Sequence, residues 1–138
     1  MPESTDPAAT CVQLRLPAST AYVSLARTAA AAIAARLDYP VDRIDDLRLA
    51  VDEACALVIA DAPPDSIIEC EFTVTGDALR AEISSPSRSG GTPSHNSFAW
   101  TVLSALVDDV DALISTEDRL VIVLSMHGFE VAHLDEPA

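Results

Sequence analysis

The chain has 138 residues, of which 49% are hydrophobic, and this size and apolar content suit one globular domain with its own core. Its 22 acidic and 8 basic side chains give a formal net charge of −14 at pH 7. Such a charge repels phosphate backbones and anionic lipid headgroups, so we expect neither nucleic acid nor membrane as a direct partner. An acidic surface suits a basic protein partner, although many acidic proteins are simply soluble.

The sequence also bears on the cellular compartment. Cys11, Cys55 and Cys70 are widely spaced and lie within apolar segments, as expected of buried thiols in a reducing cytosol. The first residues, MPESTDPAAT, contain neither the basic nor the apolar region of a signal peptide. Arginines bound the alanine-rich stretch, so no apolar run reaches the roughly 18 residues of a membrane span. We expect a cytoplasmic protein with a flexible tail over residues 1–10 and a single domain over residues 11–134.

The N-terminal half predicts a strand followed by two helices. Apolar and polar residues alternate from Val12 to Leu16, which favours a half-buried strand that stops at Pro17. A helix capped by Ser19 or Thr20 follows, and its apolar residues recur at three- and four-residue intervals until the segment DYP ends it. A second helix begins near Asp42, where acidic residues favour the positive end of the helix dipole, and the segment APPD closes it.

The C-terminal half predicts two paired strands, a loop, a third helix and a last strand. The segment SIIECEFTVTGDALRAEISS alternates on both sides of Gly76-Asp77, as in a hairpin. Residues 86–97 predict an exposed loop, and helical periodicity over residues 98–115 predicts the third helix. The apolar run LVIVL predicts a buried strand, and Gly128 allows a bend into a short final strand. The element order predicts an α+β fold, a two-layer sandwich with helices on one face of a mainly antiparallel sheet.

Common catalytic and metal-binding motifs are absent from the sequence. The three histidines lack partners at the spacing of a zinc site, and no P-loop, G-x-G-x-x-G or G-x-S-x-G motif occurs. The remaining candidate is the acidic pair Asp52-Glu53, which interrupts an apolar helical run. Glu53 shares a helix face with Leu49, Leu57 and Ala60, whereas Asp52 points elsewhere. A lone carboxylate of this kind is more often a rim residue than a functional one.

The two predicted helices resemble those of a known family. The segment from Ala21 to Ala62 is similar to the first two helices of the anti-sigma-factor serine/threonine kinases, the RsbW/UsfX-like branch of the GHKL or Bergerat ATPases. Within it, DLRLAVDEAC resembles the family's N-box, and the later LVDDVDAL resembles another helical segment of the family. The resemblance covers about Cys11 to Met126, and it implies the GHKL ATPase fold.

The resemblance also implies where a nucleotide site would lie. In the family, the N-box glutamate is the general base and an asparagine four residues later holds Mg²⁺ on the triphosphate. Glu53 stands at the first of these positions and Leu57 at the second. The aspartate and glycine that contact adenine in the family correspond to Ser85 and Ser87, which lack the charge.

The phosphate-binding part of the site is changed as well. The glycine-rich turn that presents backbone N–H groups to phosphate corresponds to the segment SFAW, with Ser97 and Ala99 in place of the glycines. The lid is reduced to residues 86–96, which leaves little chain to cover a nucleotide. The motifs that bind Mg²⁺, adenine and phosphate have all changed, and all three act on one ligand. We therefore expect weak or absent binding of ATP and Mg²⁺, no metal site and no efficient kinase activity. Glu53 would then be a rim or partner-contact residue.

The resemblance further implies a protein-binding surface on the first helix. In relatives, an arginine in the position of Arg27 contacts both the sigma factor and the anti-anti-sigma protein, and Tyr22 and Val23 lie beside it here. By residue chemistry alone, Arg27 pairs equally well with one of the abundant acids. We therefore expect a bacterial stress-response anti-sigma factor that sequesters a sigma factor from RNA polymerase. It would be released by partner switching with an anti-anti-sigma factor and would form a homodimer.

Two alternatives remain open at this point. One is an active ATP-dependent serine kinase that phosphorylates an anti-anti-sigma factor, with Glu53 as the base. The other is a non-enzymatic acidic adaptor that binds a different protein through its sheet or third helix, with Trp100 as the anchor.

Overall fold

The computed structural model describes residues 9–128, in which three helices pack on one face of a five-stranded sheet. The elements are, in chain order, β1 (Ala9–Pro17), α1 (Val23–Arg36), α2 (Val41–Ala60), β2 (Ile67–Thr75), β3 (Ala78–Pro86), α3 (Phe98–Leu106), β4 (Asp109–Ile114) and β5 (Arg119–Met126). The strand order is β1-β2-β3-β5-β4, and every neighbouring pair is antiparallel. The α+β sandwich predicted from the sequence is confirmed.

The N-terminal elements and the hairpin follow the prediction. Ser19 caps a short 3₁₀ turn that leads into α1, and its hydroxyl accepts a backbone N–H at 3.3 Å. β2 and β3 are joined by a two-residue turn in which Gly76 has a φ of 62°, a conformation that glycine adopts without steric cost. The predicted tail over residues 1–10 lies outside the described residues except for its last two, which belong to β1. The strand predicted after Gly128 also lies outside them.

The third helix is shorter than predicted. α3 ends at Leu106, and the segment Asp109–Ile114, which the helical periodicity assigned to this helix, forms β4 at the edge of the sheet. The comparison of LVDDVDAL with a family helix is therefore wrong for its second half. In β4 every second residue is half-buried. The apolar residues of this segment therefore fit both the spacing of a helix face and the two-residue alternation of a strand. The segment forms a strand because it pairs with β5, and local periodicity carries no information about that pairing.

The core lies between the helices and the sheet. α1 buries only small side chains, so it can pack closely against α2; these are Ala26, Ala30 and Ala34. α2 packs over the middle strands and buries larger groups, including Leu47 and Val58. β5 lies between β3 and β4, so the apolar run predicted as a buried strand is confirmed.

The three cysteines occupy two kinds of environment. Cys55 on α2 and Cys70 on β2 are buried, as predicted, but Cys11 on β1 is exposed. The prediction is wrong for Cys11 because β1 is an edge strand whose first half is left uncovered. A hydrogen bond with Cys70, together with burial, raises the pKa of the Cys55 thiol, which therefore stays protonated and unreactive at neutral pH.

Tyr39 anchors the turn between α1 and α2 to the sheet. Its hydroxyl is buried and donates to the carbonyl oxygens of Asp77 at 2.6 Å and Met126 at 3.1 Å. Burial, followed by the negative charge of Asp77, raises the pKa of Tyr39 to about 12. The neutral phenol is therefore part of the folded structure.

Arg43, in the first turn of α2, holds the same end of the sheet. Its Nη2 donates to both carboxylate oxygens of Asp108 at 3.0 and 2.9 Å and to the carbonyl oxygen of His127 at 2.8 Å. Asp108 also accepts the backbone N–H of His127 at 2.9 Å. A buried guanidinium is tolerated only with partners of this kind, so the network fixes α2 against the strand ends.

We expect the free energy of unfolding to fall as the pH rises from 10 to about 12. The pKa of Tyr39 is about 12 in the folded chain against an ordinary value of 10.0, so its stabilisation is complete below pH 10 and is lost as the pH rises through the folded value. Urea denaturation across this range should show a loss of about 1–2 kcal/mol. The basic residues of the chain are all arginines, so lysine titration does not contribute.

Two variants test the assignment of this pH dependence. Tyr39→Phe should be less stable by about 1 kcal/mol at pH 8 and should have a flatter alkaline profile. Tyr22→Phe removes a tyrosine that is half-exposed, and it should keep the steep profile of the unmodified chain. An unchanged slope in Tyr39→Phe would contradict the role given to the buried phenol.

Candidate functional site

The residues at the family's nucleotide positions lie on α2, at the end of β3 with the residue after it, and at the start of α3. Asp52 faces α1, where it pairs with Arg27. Glu53 and Leu57 lie on the other flank of α2, because successive helical residues are rotated by about 100°. α3 also packs on α2. The site is therefore a seam between α2 and α3 that is closed at one end by the loop after β3.

The N-box positions differ in what they offer a ligand. Glu53 is half-buried and forms no hydrogen bond or ion pair with any of residues 9–128. Leu57 is half-buried as well, and it packs against the hydrophobic core. A leucine side chain has no oxygen for Mg²⁺, which requires oxygen ligands in near-octahedral geometry.

The serines at the adenine-box positions are engaged within the chain. Ser85 is fully buried, and its hydroxyl donates to the carbonyl oxygen of Val58 on α2 at 3.1 Å. Ser87 donates to Oδ2 of Asp61 at 2.5 Å and accepts the backbone N–H of Gly90 at 2.9 Å. Both hydroxyl groups therefore join β3 or its loop to the end of α2.

Asp61 accepts several hydrogen bonds from the loop after β3, a role that the sequence did not predict. Besides the bond from Ser87, its Oδ1 accepts the backbone N–H of Ser89 at 3.0 Å, and its carbonyl oxygen accepts that of Arg88 at 2.7 Å. Burial acts to raise the pKa of Asp61, but the hydrogen bonds from Ser87 and Ser89 outweigh it and leave the pKa below its ordinary value. The sequence offers no local signal for this role, because Ser87 and Ser89 lie more than twenty residues after Asp61.

The first turn of α3 is capped by its own chain. Ser97 is the N-cap, and its hydroxyl accepts the backbone N–H of Trp100 at 3.2 Å and donates to the carbonyl oxygen of Ser94 at 2.7 Å. Ala99 follows it and is half-buried. In this turn, a side chain takes an N–H group that a phosphate would otherwise use.

Trp100 is a buried aromatic residue in the first turn of α3. It is only 8% exposed, and the ring of His95 stacks on it with centroids 4.2 Å apart and an angle of 12° between the planes. Trp100 is thus unavailable as the surface anchor proposed for an adaptor. The large apolar side chain that α3 does expose is Phe98, at 83%.

The space left between α2 and the loop is small. It is an open depression of about 240 Å³ lined by Leu57, Asp61, Pro93 and Leu120 among others. Sites for drug-sized ligands usually have volumes of roughly 300–1,000 Å³. With a leucine at the metal position, engaged serines and a capped helix terminus, the residues present do not fit a magnesium–nucleotide complex.

The predicted partner-binding residues lie at the start of α1 and differ in exposure. Tyr22 is 44% exposed, whereas Val23 is half-buried and packs against the core. Nη1 of Arg27 donates to both carboxylate oxygens of Asp52 at 2.7 and 2.8 Å, so this arginine does pair with one of the abundant acids. The Arg27 side chain is still 32% exposed, so it lies within reach of a docking protein.

The described residues offer neither a metal cluster nor a membrane-spanning helix. Among residues 9–128, no group of three or more His, Cys, Asp or Glu side chains is placed to hold a metal ion. Over the same residues, the helices are too short or too polar to cross a lipid bilayer.

Comparison with known proteins places the chain in a family. Residues 16–126 match the family described as the histidine kinase-like ATPase domain. The anti-sigma-F factor RsbW of Mycobacterium tuberculosis (strain H37Rv) is 36% identical over 99 residues, which cover 72% of this chain and 59% of that protein. The serine-protein kinase RsbW of Bacillus subtilis (strain 168) is 35% identical over 51 residues, which cover 37% of this chain and 32% of that protein.

A solved structure agrees with the fold. The crystal structure of the RsbU and RsbW domains of Rv1364c from Mycobacterium tuberculosis has a TM-score of 0.67 to this chain at 15% sequence identity, covering 86% of this chain and 32% of that one. The chain spans 59% of the length of the mycobacterial anti-sigma-F relative. The resemblance identified from the N-box is confirmed: this chain is an RsbW-like member of the histidine kinase-like ATPase family.

Proposed function

We propose that the chain is a cytoplasmic anti-sigma factor that sequesters a sigma factor from RNA polymerase and lacks efficient kinase activity. An anti-anti-sigma factor releases it by competing for the same surface, as in bacterial stress responses, and the protein acts as a homodimer. The observation that carries this proposal is the contrast between the two sites. The serines at the nucleotide positions, Ser85, Ser87 and Ser97, are engaged within the chain, whereas the start of α1 keeps exposed side chains that a protein can bind.

The α1 surface has the composition of a docking site. Tyr22 and Leu25 are 44% and 51% exposed, and Arg27 lies beside them with its charge paired to Asp52. About a third of each side chain of this ion pair is exposed, so a carboxylate of a partner can approach Arg27 and take the place of Asp52. Aromatic and arginine side chains are the residue types enriched at the centres of protein interfaces.

The acidic surface supports a basic partner. The net charge of −14 attracts the basic DNA-contacting surfaces of a sigma factor and speeds association at low salt. The same charge repels DNA, so occlusion of the sigma factor needs no contact with promoter DNA.

A second candidate function is favoured by one observation. Glu53 retains the position of the family's general base and has no partner among residues 9–128, so its carboxylate is free to accept a proton from a hydroxyl group. An active serine kinase that phosphorylates an anti-anti-sigma factor would use it. This candidate requires that the loop after β3 leave Asp61 and open the seam.

We expect calorimetric titration with ATP and Mg²⁺ to show no binding at millimolar nucleotide, because Leu57 offers no metal ligand and Ser97 occupies the helix terminus. The Bacillus subtilis serine-protein kinase RsbW, titrated under the same conditions, is the positive control. Tight binding that disappears when Mg²⁺ is chelated would show that the seam opens for a nucleotide and would refute the non-kinase proposal.

Phosphate transfer separates the two candidate functions directly. Incubation of the chain with radiolabelled ATP and an anti-anti-sigma factor should leave that protein unlabelled. Labelling that is abolished in Glu53→Ala but retained in Asp52→Ala would establish the kinase, because only Glu53 lies on the α3 side of α2. No labelling in any of the three proteins agrees with sequestration alone.

Sigma-factor binding should depend on Arg27. In biolayer interferometry against a panel of alternative sigma factors, Arg27→Glu should weaken the strongest interaction at least tenfold, since a partner then meets a like charge. Arg36→Glu, at the other end of α1, is the matched control and should bind within about twofold of the unmodified chain.

The charge-swapped double variant Arg27→Glu with Asp52→Arg separates folding from docking. It restores an ion pair between α1 and α2 but places the opposite charge at the docking position. We expect normal thermal stability with binding still lost. If the double variant bound the sigma factor normally, Arg27 would serve only the contact between the helices, and the proposed docking surface would be wrong.

A further inference from the structure

The outer face of α2 carries a large apolar side chain that the fold leaves uncovered. Leu49 is 54% exposed, although the opposite face of the helix is buried. The next exposed residues of α2 are Ala56 and Ala60, whose small side chains leave room for a second protein to approach. A single exposed leucine is common on protein surfaces, so its neighbours decide what it means.

The neighbours of Leu49 along this face are carboxylates. Asp45 and Glu53 lie one turn to either side of it, because residues four apart share a helix face. Neither side chain forms a hydrogen bond or an ion pair with any of residues 9–128. The residues three and four positions from Glu53 are alanines and leucines, so α2 itself offers this carboxylate no cation.

The helix dipole does not account for Glu53. It favours acidic side chains in the first turn of a helix, where α2 has Asp42. Glu53 lies roughly three turns further along, beyond the reach of the dipole. The altered nucleotide positions give it no metal to act with, because Leu57 has no oxygen ligand. Its half-buried carboxylate therefore remains available to a group outside residues 9–128.

Charge selects the kind of partner that suits this face. The acidic side chains of α2 outnumber its arginines, and one of those, Arg43, is buried against Asp108. A second copy of the chain would present the same acidic face, and residues 1–8 and 129–138 contain acids but no arginine or lysine. Neither is attracted to α2. A protein segment with basic residues on either side of an apolar one complements the face in both charge and hydrophobicity.

We propose that the outer face of α2 docks a basic amphipathic helix of the sequestered sigma factor, with Leu49 as the apolar anchor between Asp45 and Glu53. This inference rests on the proposed function and adds a second surface to the same complex. The two surfaces adjoin, because Asp52, the residue before Glu53, pairs with Arg27 of α1. A row of side chains at four-residue spacing is the ridge by which one helix packs against another, so the partner segment is a helix.

Binding measurements without nucleotide test the apolar anchor. In biolayer interferometry against the sigma factor that the unmodified chain binds most tightly, Leu49→Ala should weaken binding about tenfold, because the partner loses an apolar contact. Leu113→Ala makes the same truncation at a 42% exposed position on β4 and should leave the affinity unchanged. Circular dichroism checks that both variants fold.

Charge reversal tests the carboxylate. Glu53→Arg should weaken binding about tenfold or more, because a basic partner then meets a like charge. Asp109→Arg makes the same change in net charge at an exposed position on β4 and should leave the affinity unchanged. Since no nucleotide is present, a role of Glu53 as a general base does not affect the result. Equal weakening by both reversals would mean that only the overall charge attracts the partner, and the contact with Glu53 would be refuted.

The outcomes distinguish this inference from the proposed function. Binding that is lost in Arg27→Glu but kept in Leu49→Ala and Glu53→Arg overturns the α2 surface and leaves sequestration standing. A chain that binds no sigma factor of the panel overturns both. If Leu49→Ala changes the sedimentation coefficient of the chain while sigma-factor binding is unaffected, the face contacts a second copy and the proposal is wrong.

Discussion

The arrangement of the site depends on the hydrogen bonds that join the end of β3 to the end of α2. Ser85 binds the carbonyl oxygen of Val58 within the core, and Ser87 binds Asp61 at the surface, so the strand and helix are held together at two depths. The loop after β3 is drawn onto α2 as a result. Beside this loop lies an open depression of about 240 Å³.

α2 connects the different parts of the molecule because its faces are turned to different neighbours. Its buried face packs on the sheet, one flank pairs with Arg27 through Asp52, and the other flank carries Glu53 toward α3. Asp52 and Glu53 are adjacent in the chain but therefore face different neighbours. The helix has twenty residues, and the hydrogen bonds of Arg43 hold its first turn to Asp108.

Local sequence patterns predicted much of the fold, because α1, α2 and the hairpin have periodicities that agree with their surroundings. The pattern failed at β4, where helix and strand periods both fit and only pairing with β5 distinguishes them. At the site, the N-box motif located Glu53 and Leu57. The role of Asp61 could not be predicted, since it depends on a loop that returns to contact a residue 26 positions earlier in the chain.

The stacked ring pair at the start of α3 has a practical consequence. Trp100 is the only tryptophan of the chain, and its indole lies against an imidazole that belongs to the loop. The chain thus carries an intrinsic fluorophore at the point where the loop meets the helix. Its emission intensity reports directly, and without a label, whether the loop rests on the domain or has lifted away.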